Sequence, residues 1–176
     1  MTKHLKSYKL KFSMAKTLPL KIYPDPILRQ KSRLLSAADV ASPKTTQLIA
    51  DMEKTMKAHS GIGLAAVQVG QLLRLILVAT KNGSLALINP NISSYSWKKE
   101  TAEEGCLSIP ETFVQVKRSI KIKVRALDAK GKPLQFTAEG LFARVIQHET
   151  DHTNGILILD HGSAVTTADQ PAHGRR

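Results

Sequence analysis

The sequence predicts an α+β fold, with antiparallel or mixed β-sheets packed around one central helix that carries H-E-x-x-H. Two observations predict it. Short alternating apolar and polar stretches separated by turn residues outnumber the helical patterns. The strongest late helical pattern contains His148-Glu149-Thr150-Asp151-His152. Strands around one helix of this kind make an α+β domain.

Each element has a local reason. Ser42-Pro43 reads as the N-cap and first position of a helix over residues 43–59. Leu48, Ile49, Met52 and Met56 form its apolar stripe, and Gly61 follows its end. Leu72–Thr80, Ser84–Ile88 and Ile92–Trp97 read as strands, with Lys81-Asn82-Gly83 as a hairpin turn. Ile120, Ile122, Val124 and Ala126 alternate with Lys121, Lys123 and Arg125, the mark of a half-buried strand. Asp128–Lys132 turns the chain, and Leu134 and Phe136 alternate in the next strand. Leu141, Val145, Ile146 and Glu149 then share one helix face with the two histidines.

A chain of 176 residues suits a single core. No apolar run approaches the roughly 20 residues of a membrane span, so no membrane association is expected. Cys106 is the only cysteine, which excludes an intramolecular disulfide and suits a reducing compartment. The net charge of +12 is uneven: residues 1–33 hold +8 of it and residues 34–176 hold +4. The plain reading of residues 1–17 is a solvated basic tail, or a start codon misplaced ahead of Met14. The sharper readings are an organelle transit peptide, or an arm that contacts RNA through Tyr8 and Phe12 among its lysines. His4, His59, His161 and His173 have no partner at ligand spacing and read as surface residues.

The chemistry starts from His148 and His152. Residues four apart lie on one helix face, so the two imidazoles can bind one divalent ion with Glu149 beside it as a proton acceptor. A third ligand is needed. Downstream, the metzincin pattern requires a histidine where this chain has Ile158, and the only later acids are Asp160 and Asp169, neither on an evident helix. Upstream, Cys106 in Glu104-Gly105-Cys106-Leu107-Ser108 is the better donor. A lone cysteine is commonly a small core hydrophobe. Beside two imidazoles, however, its thiolate gives a Cys-His-His set with the fourth position open, as catalytic sites require. Gly105 permits a close backbone approach or a positive φ next to it.

Gly61-Ile62-Gly63-Leu64-Ala65-Ala66-Val67-Gln68 matches a dinucleotide fingerprint on its own, but such a fingerprint follows a strand and opens a helix. Here a helix precedes it, a strand follows, and no acid lies between Glu53 and Glu100 to hold a ribose. It reads better as one wall of a cleft.

Taken in order, Gly61 to Gln68, Glu104 to Ser108 and Gln147 to His152 resemble the signatures G-x-G-L-A-A-x-Q, E-G-C-L-S and Q-H-E-x-D-H of the peptide deformylase family. Tyr23-Pro24-Asp25-Pro26-Ile27-Leu28-Arg29 also looks like the start of that family's domain, and the resemblance covers about residues 18–160. It implies a basic and flexible extension over residues 1–17, a catalytic domain over 18–160 and a polar tail over 161–176. It implies hydrolysis of the N-formyl group from the initiator methionine of nascent polypeptides, releasing formate by attack of a water or hydroxide held on the metal. Cys106, His148 and His152 would hold one divalent ion per chain, Fe²⁺ by family habit, with Zn²⁺, Ni²⁺ or Co²⁺ as substitutes. Glu149 would be general base and then general acid. Gln68 and the Leu107 N–H would stabilise the oxyanion, while Gly63 and Gly105 would contact substrate. Glu104 and Arg118 would pair to brace the cysteine loop.

The implied setting is a monomer in a bacterial-type cytoplasm, acting on formyl-methionyl nascent peptides with a transient ribosome contact. An organelle is the alternative if residues 1–17 are a transit peptide. Three positions depart from the family pattern: Val67 for a common proline, Thr153 for leucine, and Phe113 where many bacterial members have arginine. The long C-terminal helix of many bacterial members is not evident after Asp160. Two rival readings are an H-E-x-x-H endopeptidase and a basic RNA- or ribosome-binding protein with a structural metal. Ile158 speaks against the first, and intact Glu149 and Gln68 speak against the second.

Overall fold

The computed structural model describes residues 14–162 and 164–166 of the chain. Tyr8, Phe12, His4 and His173 lie outside the described residues. The elements run in order as α1 (Ala37–Val40), α2 (Pro43–Ala58), β1 (Gly63–Ala65), β2 (Leu75–Thr80), β3 (Gly83–Tyr95), β4 (Lys99–Cys106), β5 (Ile109–Ser119), β6 (Lys121–Leu127), β7 (Pro133–Glu139), α3 (Gly140–Thr153) and β8 (Ala164–Thr166). Short 3₁₀ turns occur at Pro26–Arg29, Ala66–Val69 and Ile158–Asp160.

Two antiparallel sheets result, one of order β1-β2-β3-β6-β7 and one of order β4-β5-β8. The period-2 pattern of β2 explains how the larger sheet is covered on both faces. Leu75 and Leu77 point into one core with Met52 and Met56 of α2. Ile76 and Val78 point into another with Ala143, Val145 and Ile146 of α3. A third cluster joins Val114 and Val116 of β5 to Leu28, Leu157 and Ile158. α3 therefore lies between the sheets, and the α+β class with a central H-E-x-x-H helix is the observed one.

Local signals read correctly where they were strong. Ser42 caps α2, its side chain accepting from the Lys44 N–H at 3.2 Å. Lys81-Asn82 turns β2 into β3. Three readings are corrected. The two strands expected over 84–97 are one 13-residue strand, because Asn89 takes φ +53° and the register with β6 shifts there, so the chain passes Pro90 without leaving the sheet. The segment 99–119, read only as an acidic stretch and a cysteine loop, is the long hairpin β4–β5. Within residues 161–176, Ala164–Thr166 pair with Thr112–Val114 as the third strand of the smaller sheet.

Candidate active site

Three elements converge on one cleft. The end of β4 presents Cys106, α3 presents His148, Glu149 and His152, and β1 with the following 3₁₀ turn presents Gly63 and Gln68. The cleft has a volume of about 520 Å³. The helical spacing does what the sequence required: His148 and His152 stack edge to face with ring centroids 5.0 Å apart. Ligand atoms of Cys106, His148 and His152 all lie within 4.8 Å of one another, and Cys106 Sγ is 3.2 Å from His152 Nε2.

The donor set fits a divalent cation. The Nδ1 of His148 is tied to Glu104 Oε2 at 2.9 Å, which leaves its Nε2 for the cluster. Burial opposes charge on His148, but hydrogen bonds with Cys106 and Glu104 and the charge of Glu149 push it up to about 10. Burial, followed by the His148 and Arg118 charges, holds His152 well below the usual histidine range. One thiol and two imidazoles at this spacing are a set that a divalent transition metal takes readily.

Glu149 is 4 % exposed, and its Oε2 makes no hydrogen bond among the described residues. Burial raises it to about 7, against the lowering effect of His148 and Arg118. Gly63 makes room for it. A Cβ at that position would overlap Glu149 Oε1 and come within 2.7 Å of Val145 Cγ1, so only glycine admits both strand and carboxylate.

Gln68 is held at both ends. Its Oε1 accepts from the Ala65 N–H at 2.8 Å. Its Nε2 donates to Ser108 Oγ at 3.2 Å and lies 3.6 Å from Cys106 Sγ. The strap of residues 21–23 locks the same region, since Lys21 N–H donates to Gln68 O and Tyr23 N–H to Ser108 O, both at 2.8 Å. Leu107 and Ser108 form the turn between β4 and β5, and half-buried Leu107 lines the cleft. Gly105 has no positive φ. Its role is close approach, because a Cβ there would lie 3.0 Å from the Phe113 ring.

Beneath the cleft lies a buried ionic network. Arg118 donates from Nε and Nη2 to the two oxygens of Glu104 at 2.8 and 2.9 Å, and from Nη1 to Asp151 Oδ2 at 2.6 Å. Arg144 adds a bond to Glu104 Oε1 at 2.8 Å. Burial alone would raise Glu104, but His148 and Arg118 hold it well below the usual carboxylate range. The Glu104–Arg118 pair expected from the resemblance is thus present, and it is buried and bidentate. Sequence reasoning missed Asp151 and Arg144 as members of this network. Asp151 lay inside the quoted motif, and Arg144 stands four residues before His148 on α3, so helical spacing was the available signal. His161, read as a surface residue with no partner at ligand spacing, is exposed, and its Nε2 lies 2.8 Å from Asp151 Oδ2.

Comparison with known proteins agrees with this geometry. A family model described as polypeptide deformylase matches residues 17–168. A peptide deformylase of Thermotoga petrophila is 44% identical over 141 residues, covering 80% of this chain and 84% of that one. One of Brucella suis is 43% identical over 148 residues, covering 81% and 83%. Among solved structures, the actinonin-bound class I type b peptide deformylase of Acinetobacter baumannii superposes with a TM-score of 0.81 at 36% identity, covering 85% of this chain and 100% of that one. The Thermotoga maritima peptide deformylase gives 0.79 at 39% identity, covering 84% and 98%.

Proposed function

The chain belongs to the polypeptide deformylase family, and from that membership and the cleft we infer how its residues divide the work. It is a hydrolase that removes the formyl group from N-terminal formyl-methionine, leaving a free amine and formate. The family is metal-dependent, and we assign the metal to Cys106, His148 and His152. Fe²⁺ is our choice of ion, with Zn²⁺, Ni²⁺ or Co²⁺ as functional substitutes. When bound, such an ion supplies a Lewis acid and makes water a nucleophile at neutral pH.

Every other step falls to the chain. Glu149 accepts a proton from the attacking water at Oε2 and returns it to the departing methionyl nitrogen as the C–N bond breaks. The Gln68 amide and the Leu107 N–H donate to the oxyanion that forms when the new C–O bond is made. Each such donor is typically worth about 3–4 kcal/mol. Gln68 can hold its position because its Oε1 is already anchored by Ala65. Gly63 leaves the space in which Glu149 and the formyl group meet, and Gly105 keeps the β4 backbone open to the peptide. Glu104 and Arg118 orient His148. The metal and proton chemistry lies within residues 18–160, and just ahead of them Lys16 N–H donates to Asp51 and Lys54 Nζ to Ala15 O, which ties this stretch to α2. No helix of the described residues is long and apolar enough to cross a membrane. We place the enzyme in a bacterial-type cytoplasm as a monomer that meets nascent chains in transient contact with the ribosome.

The observation that carries the residue assignment is Glu149 Oε2, buried and without a partner beside the Cys-His-His cluster. The test is formate release from formyl-Met-Ala-Ser by anaerobically purified, iron- or nickel-loaded protein, with Glu149→Ala alongside. Formate from the intact protein only, at equal metal content, supports the assignment. An active alanine variant removes Glu149 from the mechanism.

A further inference from the structure

We propose that the chain carries a binding surface for single-stranded RNA, separate from the catalytic cleft and built from Tyr95, Trp97, Lys99 and Lys117. The surface goes beyond the deformylase reading and does not depend on it.

Ser96, Trp97 and Lys98 connect β3 to β4. Both flanks of Trp97 are anchored. Ser96 N–H donates to Lys121 O at 2.8 Å, and Lys98 O accepts from the Ile120 N–H at 3.2 Å and from the Ser96 hydroxyl at 2.8 Å. This fixed backbone leaves Trp97 92 % exposed, with Tyr95 57 % exposed two residues earlier. Single exposed aromatics are ordinary on a protein surface. Two on one anchored segment form a platform that is ordered before any ligand arrives.

Tyr95 also lines a pocket of about 400 Å³ together with Lys99, Lys117 and His161. None of its lining residues belongs to the catalytic cleft, because α3 contributes Gln147 and Asp151 here and turns His148 and Glu149 toward the cleft. Lys99 and Lys117 are diagonal neighbours on one face of the β4–β5 hairpin, since Lys99 pairs with Ser119 and Thr101 with Lys117. Both lysines are exposed, and neither forms an ion pair among the described residues. The one acid lining the pocket, Asp151, is already held by Arg118 at 2.6 Å and by His161 at 2.8 Å. An anion entering here meets two amines and no competing free carboxylate.

Cations that follow a phosphodiester backbone, and rings on which bases stack, are the two parts of a single-strand site. A duplex keeps its bases stacked on each other and offers no face to Trp97. The Tyr95 hydroxyl has no hydrogen-bond partner among the described residues, and a ribose 2′-OH supplies one, which favours RNA over DNA. A bilayer would need apolar neighbours, and no aliphatic side chain lines the pocket. An acidic peptide would meet the lysines but leave both rings in water. The net charge of +12 attracts any polyanion from a distance, so stacking is the local signature of this surface.

Trp97 is the only tryptophan of the chain, so its emission reports on this surface. The metal-loaded full chain is titrated with a short labelled oligouridylate at several salt concentrations, and Trp97 fluorescence and RNA anisotropy are followed together. We expect binding that quenches Trp97. Lys99→Gln combined with Lys117→Gln should weaken binding about fivefold and lower the salt slope by about 1.4. Trp97→Ala, followed by anisotropy, should weaken it about tenfold with the salt slope unchanged. Thermal melting checks that the variants fold. Duplex RNA, oligodeoxythymidylate, polyglutamate and vesicles of anionic lipid should bind more weakly and quench less. No binding, binding without quenching, unchanged affinity in both variants, or equal quenching by any of these other ligands would overturn the proposal. Formate release is measured on the same samples: its absence would overturn the deformylase reading and leave the RNA surface standing.

Discussion

Two helices cover opposite faces of the same five-stranded sheet, and they bury different chemistry. α2 sets Met52 and Met56 against Leu75, Leu77 and Ile88, an apolar contact beneath a solvated outer face. Its buried polar groups have simple partners: Asp51 accepts from the Lys16 N–H at 2.9 Å, and Thr55 from the Leu18 N–H at 2.8 Å. α3 packs Ala143, Val145 and Ile146 in the same manner, then continues into buried Gln147, Glu149, Thr150 and His152. Buried polar groups cost free energy unless paired. On α3 the pairing comes from a second sheet, through Glu104, Arg118 and Ser119 of the β4–β5 hairpin. Among the described residues Glu149 Oε2, Thr150 Oγ1 and His152 Nδ1 of α3 are buried without hydrogen-bond partners, and Glu149 and His152 belong to the site. One helix is scaffold, and the other is a site that needs a scaffold of its own.

That contrast can be broken by mutation. The largest effect should come from Glu149→Ala, which removes the proton carrier and should lower turnover by about 10² to 10⁴-fold. Its thermal midpoint should change little, because Oε2 has no hydrogen bond to lose; formate assays and melting on one sample decide this. Arg118→Ala comes next. It leaves buried Glu104 with one fewer cation and should destabilise by about 3–5 kcal/mol, with weaker metal retention on dialysis against a chelator. Arg118→Lys should rescue only part of this, since lysine cannot bridge both Glu104 oxygens.

Met52→Ala tests the other side of the comparison. A fully buried side chain is lost from the α2 core, with an expected cost of about 2–5 kcal/mol in urea unfolding. Activity per folded molecule should stay near wild type, and a loss of metal retention as large as that of Arg118→Ala would show that the two faces are coupled. Ser42→Ala is the smallest: losing one cap bond at the start of α2 should cost about 1 kcal/mol, with no change in metal content.

The same division governs how much the sequence disclosed. The α2 cap, its methionine stripe, the Lys81-Asn82 turn and the alternation of β6 are local signals, and all appear where expected. The β4–β5 hairpin was not legible. Its buried face sets Glu104 and Arg118 beside Val114 and Val116, and charged residues on a buried face break the apolar alternation that periodicity detects. Asn89 at positive φ hid the continuity of β3 for a similar reason, since a register shift is a property of the pair and not of the strand. His161 gained a partner ten residues away that no helix or strand spacing relates to it.

By itself the sequence determined the helix with its two imidazoles and carboxylate at one-turn spacing, the single thiol, the glycine-rich wall, and the class of fold. Those follow from short-range geometry, because a helix puts residue i over residue i+4 whatever surrounds it. The tertiary structure alone decided that Cys106 meets His152 at 3.2 Å, that Glu104 and Arg118 are buried in one network with Asp151, Arg144 and His148, and that Gly63 yields its Cβ space to Glu149. These contacts join residues 14 to 86 positions apart, and only the packing of two sheets on one helix brings such residues within hydrogen-bonding range.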